Sequence, residues 1–119
     1  MKASILTCLL IFTTIITQAQ KPRDGSYTFA IAFAEWGGKS QGNTCTVIVK
    51  GSQVKVINNG TGTLKQFKGE VMDEGILMIH RTGRWIIGHD AKDKYAKQIG
   101  GCSDGPAEID FKNKRFWIC

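Results

Sequence analysis

Proline, histidine and long apolar stretches are all scarce in this chain. Among 119 residues there are two prolines and two histidines. No apolar run reaches the roughly 20 residues that a membrane-crossing helix needs. With so little histidine and no C-x-x-C, H-x-x-x-H or EF-hand loop, the local signatures of zinc, dithiol and calcium sites are missing. Two prolines beside fourteen glycines, without a period, exclude collagen-like and polyproline architectures. The length excludes a Rossmann or (β/α)8 scaffold and fits one domain. No RRM, KH or finger motif occurs, and a formal charge of +6 is too modest to argue for nucleic acid by itself.

What is present begins with an address. Met1-Lys2 is a short basic start, Ile5 to Ile16 is apolar apart from threonines and Cys8, and Thr17-Gln18-Ala19 places small residues at −3 and −1 of a cleavage site. This predicts a cleaved secretory signal over 1–19 and a single small domain over 20–119, secreted or periplasmic, with no transmembrane segment. Cleavage removes Lys2 and Cys8, so +6 becomes +5 and four cysteines become three. An odd count in a secreted chain predicts one disulfide and one leftover thiol, or pairing between chains.

From Ser26 onward the pattern has period two. Tyr27, Phe29, Ile31 and Phe33 alternate with smaller residues. Val47 and Val49, Gly51-Ser52, then Val54 and Val56 read as a tight hairpin with Lys50 opposite Gln53, which puts the valines and Cys45 on one face. Asn58-Asn59-Gly60 is a turn, 63–68 a modest strand, and Asp73-Glu74-Gly75 an acidic turn. Ile76 to Arg81 and Arg84 to Gly88 read as a second hairpin about Thr82-Gly83, with Met78 opposite Ile87. Both its faces are apolar, so it needs a second cover. The nearest is the one helical segment, capped by Asp90 with Asp93 behind it and ended by Gly100. Ile109, Phe111, Phe116 and Ile118 make a terminal hairpin about Lys112–Arg115. The prediction is an all-β domain with one short helix: a small antiparallel up-and-down β-barrel of about eight short strands, a β-sandwich being the alternative.

If eight strands alternate, the loops carrying Lys39, Arg81, Arg84, Lys112, Lys114 and Arg115 gather at one end, with Trp36 and Trp85 nearby. The acids collect at the other. Such a rim either keeps loop tips solvated or attracts an anionic small molecule, an acidic glycan or an acidic protein. These eight side chains are the candidate binding residues. Cys102 and Cys119 fall together at the acidic end and are the predicted disulfide, leaving Cys45 a buried thiol.

Catalytic readings are weak. Gly101-Cys102-Ser103-Asp104-Gly105 matches G-x-S-x-G, but the elbow needs a strand before it and a helix after it, and the order here is reversed. A Cys45/His80 pair is less favoured than a structural cysteine and a packed histidine, and His89 with Asp90 and Asp93 fits a cap better than a metal site. No catalytic residue, metal ligand or cofactor is assigned. The outline resembles small secreted β-barrels such as lipocalin-like binders and periplasmic lysozyme inhibitors at the level of fold alone. The expectation is a non-enzymatic binding module. The alternatives are an interaction or self-association module using the outer face of 76–88 and, least favoured, a small hydrolase.

Overall fold

A computed structural model describes residues 21–119, so the predicted leader 1–19 lies outside the described residues. Seven strands follow one another around a closed barrel: β1 (Gly25–Phe33), β2 (Thr44–Lys50), β3 (Gln53–Asn58), β4 (Val71–Ile79), β5 (Trp85–Gly88), β6 (Ala107–Asp110) and β7 (Arg115–Ile118). Successive strands are antiparallel, and β1 closes on β7 in parallel. Connections 34–43, 59–70 and 89–106 therefore meet at one end, called upper here, and turns 51–52, 80–84 and 111–114 at the other, lower end.

The interior is filled by alternate residues, as the period-two reading requires. Phe29, Ile31 and Phe33 of β1 are buried, as are Cys45, Val47, Val49, Val54 and Val56 across the first hairpin. Its register is the predicted one, Lys50 opposite Gln53 and Val49 opposite Val54. Leu77, Ile87, Ile109 and Phe116 complete the core. At the lower end the plug is aromatic: Phe111 meets Phe29, Tyr27 and Trp85 edge-on at 5.3, 6.4 and 6.4 Å between ring centroids, a geometry that aligns ring edges with ring faces.

Three expectations are corrected. Segment 63–68 is not a strand but a loop with a 3-10 turn at Lys65–Phe67, and the supposed acidic turn 73–75 lies inside β4. Glu74 tolerates the sheet because Lys55 stands opposite it, a favourable cross-strand pair, and Asp73 accepts a hydrogen bond from His89 Nε2 at 2.8 Å. Loop 59–70 is held instead by fully buried Asn43, whose amide donates to Ser40 O and Thr63 Oγ1 and whose Oδ1 accepts from Leu64 N–H. The strand count is consequently seven.

The second hairpin is closed by five residues, 80–84, rather than two. His80 N–H donates to Arg84 O at 2.8 Å and Gly83, at φ +89°, returns a bond to His80 O. Pairing shifts by one, to Leu77↔Ile87, Met78↔Ile86 and Ile79↔Trp85, so Arg81 and Arg84 do not oppose each other as a cross-strand pair. The helix is a 3-10 turn, Ala91–Tyr95, although its cap is the predicted one: Asp90 accepts from Lys92 N–H and Asp93 from His89 and Asp90 N–H. Tyr95 is 72% exposed and anchors no apolar stripe.

Segment 89–106 nevertheless supplies the second cover. It runs down over the outer face of β4 and β5, where Lys94 O accepts from Arg81 N–H and Ala96 O from His80 Nε2 at 2.7 Å. Ile86, on that outer face, is fully buried. Since a carbonyl only accepts, His80 carries its proton on Nε2 and takes bonds from Thr82 on Nδ1. The strap is tied again by the predicted disulfide, Cys102–Cys119.

Candidate functional site

The candidate residues separate according to the parity of the barrel. With seven strands, Arg81, Arg84, Lys112 and Lys114 lie at the lower end, and the 34–43 loop bearing Trp36 and Lys39 lies at the upper end. The single eight-residue rim is not formed. A groove of about 890 Å³ runs over the outer faces of β6 and β7 and collects Arg84, Trp85, Lys112 and Arg115 from the candidates. Glu108, Asp110, Asn113 and Trp117 join them, with Gly100 and Gly101 at its far side.

Alternation explains this lining. Ile109 and Phe116 point into the core, so Glu108, Asp110, Arg115 and Trp117 point out. The same alternation is present in the sequence, where Ile109, Phe111, Phe116 and Ile118 share one face of the terminal hairpin. The upper loop does approach the groove through Gly38, at φ +89°. A β-carbon there would lie 2.8 Å from the Trp117 ring, and Arg115 Nη1 is 3.6 Å from the same point. Trp36 instead tilts against Phe33 at 4.8 Å, and Lys39 is engaged through its backbone with Phe33 and Trp36.

The groove carries Arg84, Lys112 and Arg115 against Glu108 and Asp110, an excess of one positive charge. Glu108 is paired with Arg84 at 3.4 Å. Asp110 is partly desolvated, which opposes its charge. The Asn113 side chain, the amides of Asn113 and Lys112 and the nearby Arg115 prevail, holding the carboxyl below its ordinary 3.8. Its two oxygens accept from Asn113 N–H at 3.0 Å and Asn113 Nδ2 at 2.8 Å. Among the described residues the ion pairs are Lys21–Asp24, Arg84–Glu108 and His89–Asp73. Lys112 and Arg115 are thus left without a carboxylate in salt-bridge range, beside the half-buried indole of Trp117.

Other chemistry-bearing groups are engaged elsewhere. Cys45 is buried in the core at the upper end, where burial pushes its thiol up to about 12, and His80 is at the lower end, so the two do not form a pair. Ser103 Oγ donates to Gly100 O at 2.7 Å and accepts from Gly105 N–H, as a turn residue does. Asp73, His89, Asp90, Asp93 and Asp104 line an upper groove of about 690 Å³, but three of these carboxylates are committed to His89 and to the cap. No group of three or more metal-ligating side chains among the described residues is arranged to hold an ion. No protein-family model, curated protein or solved structure matches the chain.

Proposed function

We propose that the protein is a non-enzymatic binding module that works outside the cytoplasm and takes an anionic ligand in the groove over β6 and β7. The observation that carries this reading is the excess of one cation in the groove, with Lys112 and Arg115 outside any salt bridge among the described residues and beside the exposed side of Trp117, while Glu108 pairs with Arg84 and Asp110 accepts from Asn113. A cation pair beside an aromatic wall fits a carboxylate, phosphate or sulfate group on a small molecule, an acidic glycan or an acidic protein. The disulfide and the signal-like segment 1–19 support an extracytoplasmic site of action. Ser103, Cys45 and His80, each engaged in structure, argue against nucleophilic catalysis.

Self-association through the outer face of 76–88 is less favoured, because the strap covers Ile86 and leaves Ile76 as that face's exposed apolar residue. The test is titration of tryptophan fluorescence with inorganic phosphate, polygalacturonate and polyglutamate. The double variant Lys112→Gln/Arg115→Gln is expected to weaken the responding ligand about tenfold or more and to flatten its salt dependence. Equal affinity in parent and variant, or no response to any of the three, overturns the reading.

A further inference from the structure

Below Ala30, β1 is hydrogen-bonded on one side only. Its ladder with β2 spans Gly25↔Val49 to Ala30↔Thr44, whereas its ladder with β7 begins at Ala30↔Arg115 and continues upward to Phe33↔Ile118. Ala30 N–H donates to Lys114 O and Ile31 N–H to Asn43 O, each at 3.0 Å. Backbone groups alternate sides along a strand. Ser26 and Thr28 therefore aim their N–H and C=O groups to the β7 side, beneath the β6–β7 turn. Among the described residues no strand pairs with them there, and both residues are exposed. Across the gap, β5 pairs with β6 only through Ile86 and Ile87. The space between is closed by the Tyr27, Phe111 and Trp85 rings rather than by backbone bonds.

We propose that this free edge of β1 accepts an acidic, extended peptide segment of a partner protein as an added strand. The inference rests on the anionic-ligand reading for its charge and on the open ladder for its geometry. An unpaired edge offers alternating donors and acceptors to any extended chain, and the outward side chains at 26 and 28 are small and polar. Charge selects the occupant. Lys114 is bonded to β1 at Ala30, Lys112 lies on the same turn, and Arg23 precedes the strand. The acid nearest the edge in sequence, Asp24, is occupied by Gly51 N–H and Lys21. A second copy of this edge would set those cations against their own counterparts, so an acidic segment is favoured over self-pairing.

The test uses the purified protein and capped octapeptides in which valine alternates with glutamate, glutamine or lysine. Amide exchange at Ser26 and Thr28 is read alongside tryptophan fluorescence. Saturation with the glutamate peptide is expected to slow both amides about tenfold, with affinity falling about tenfold or more from glutamate to lysine. Thr28→Pro removes an N–H that no strand among the described residues uses, and it is expected to abolish peptide binding while phosphate or polygalacturonate still changes the tryptophan fluorescence. N-methylating the peptide on alternate residues, in both phases, gives the same test without altering the protein. A peptide that changes the tryptophan fluorescence but leaves Ser26 and Thr28 unprotected overturns the edge and preserves the groove. Protection that grows with protein concentration alone overturns it in favour of self-pairing. No binding of any peptide or anion overturns both.

Discussion

Removing the disulfide by Cys102→Ala/Cys119→Ala gives the most direct measure of how the barrel is held shut. The bridged residues are separated by 17 positions, and closing a loop of that size in the unfolded chain corresponds to about 3 kcal/mol of stability. For a domain of this length the melting temperature should fall by about 12–24 °C. The location adds a second readout. Cys119 follows β7, which is joined to β1 by four residue pairs and to β6 by two. Without the bridge, the covalent link between the end of β7 and the strap is lost. Urea denaturation gives the free energy, and native-state amide exchange over Phe116–Ile118 shows whether β7 frays before the rest unfolds. A loss under about 1 kcal/mol would refute the loop-entropy reasoning, and an unchanged exchange rate in β7 would refute its placement.

Gly62→Ala should cost about 2–4 kcal/mol, since the backbone sits at φ +63° and the added carbon would lie 2.6 Å from Gln41 O. Gly51→Ala, at φ +62° with open space around it, should cost about 1 kcal/mol, and urea melts of the pair separate clash from strain. His80→Ala unpins the strap, leaving Ala96 O and the Thr82 amide without their partner. A loss of about 2–4 kcal/mol with faster exchange in 91–101 is expected, and an unchanged strap would refute the pinning role. Cys45 should resist thiol reagents at pH 8 in the folded protein and react on unfolding. Above pH 9 the unfolded chain releases the thiol proton while the fold, with its thiol at about 12, retains it. Stability should therefore fall as pH rises from 9 to 12, more steeply in the parent than in Cys45→Ala, as pH-dependent urea melts would show.

The parts of the fold legible in the sequence were those where alternation and a tight turn agree. Tyr27 to Phe33 and the Val47–Val56 hairpin are of this kind, the latter because Gly51-Ser52 leaves one register that buries all four valines. Alternation failed where a charge was mistaken for a turn. Asp73 and Glu74 lie within β4 because Lys55 and His89 balance them from other segments, a compensation invisible in a local window. It failed again at 80–84, where Thr82-Gly83 suggests a two-residue loop but His80 closes a longer one through its backbone and Nδ1, while Nε2 holds the strap at Ala96. The groove was half legible. Its cations Arg84, Lys112 and Arg115 stand out by charge alone, whereas Trp117 and Asp110 follow only from their alternation with Phe116 and Ile109.

Strand parity links these errors to the functional argument. In a closed meander, an even number of strands lets the first and last run antiparallel; an odd number forces them parallel. Losing segment 63–68 as a strand makes the number seven, and β1 and β7 must then close in parallel, as they do. One change moves the 80–84 and 111–114 turns to the end where β1 begins and leaves the Lys39 loop at the other. It also fixes where the closing seam lies. Because β7 has only four residues and enters beside Ala30, it covers the upper part of β1 and, among the described residues, leaves Ser26 and Thr28 without a strand on that side, below the turn that carries Lys112 and Lys114. The short parallel seam is thus the common origin of the cation cluster and the open edge. A variant that lengthened β6 and β7 by two residues each is expected to extend the seam downward beside Ser26 and Thr28, and slowed exchange of those two amides would show it.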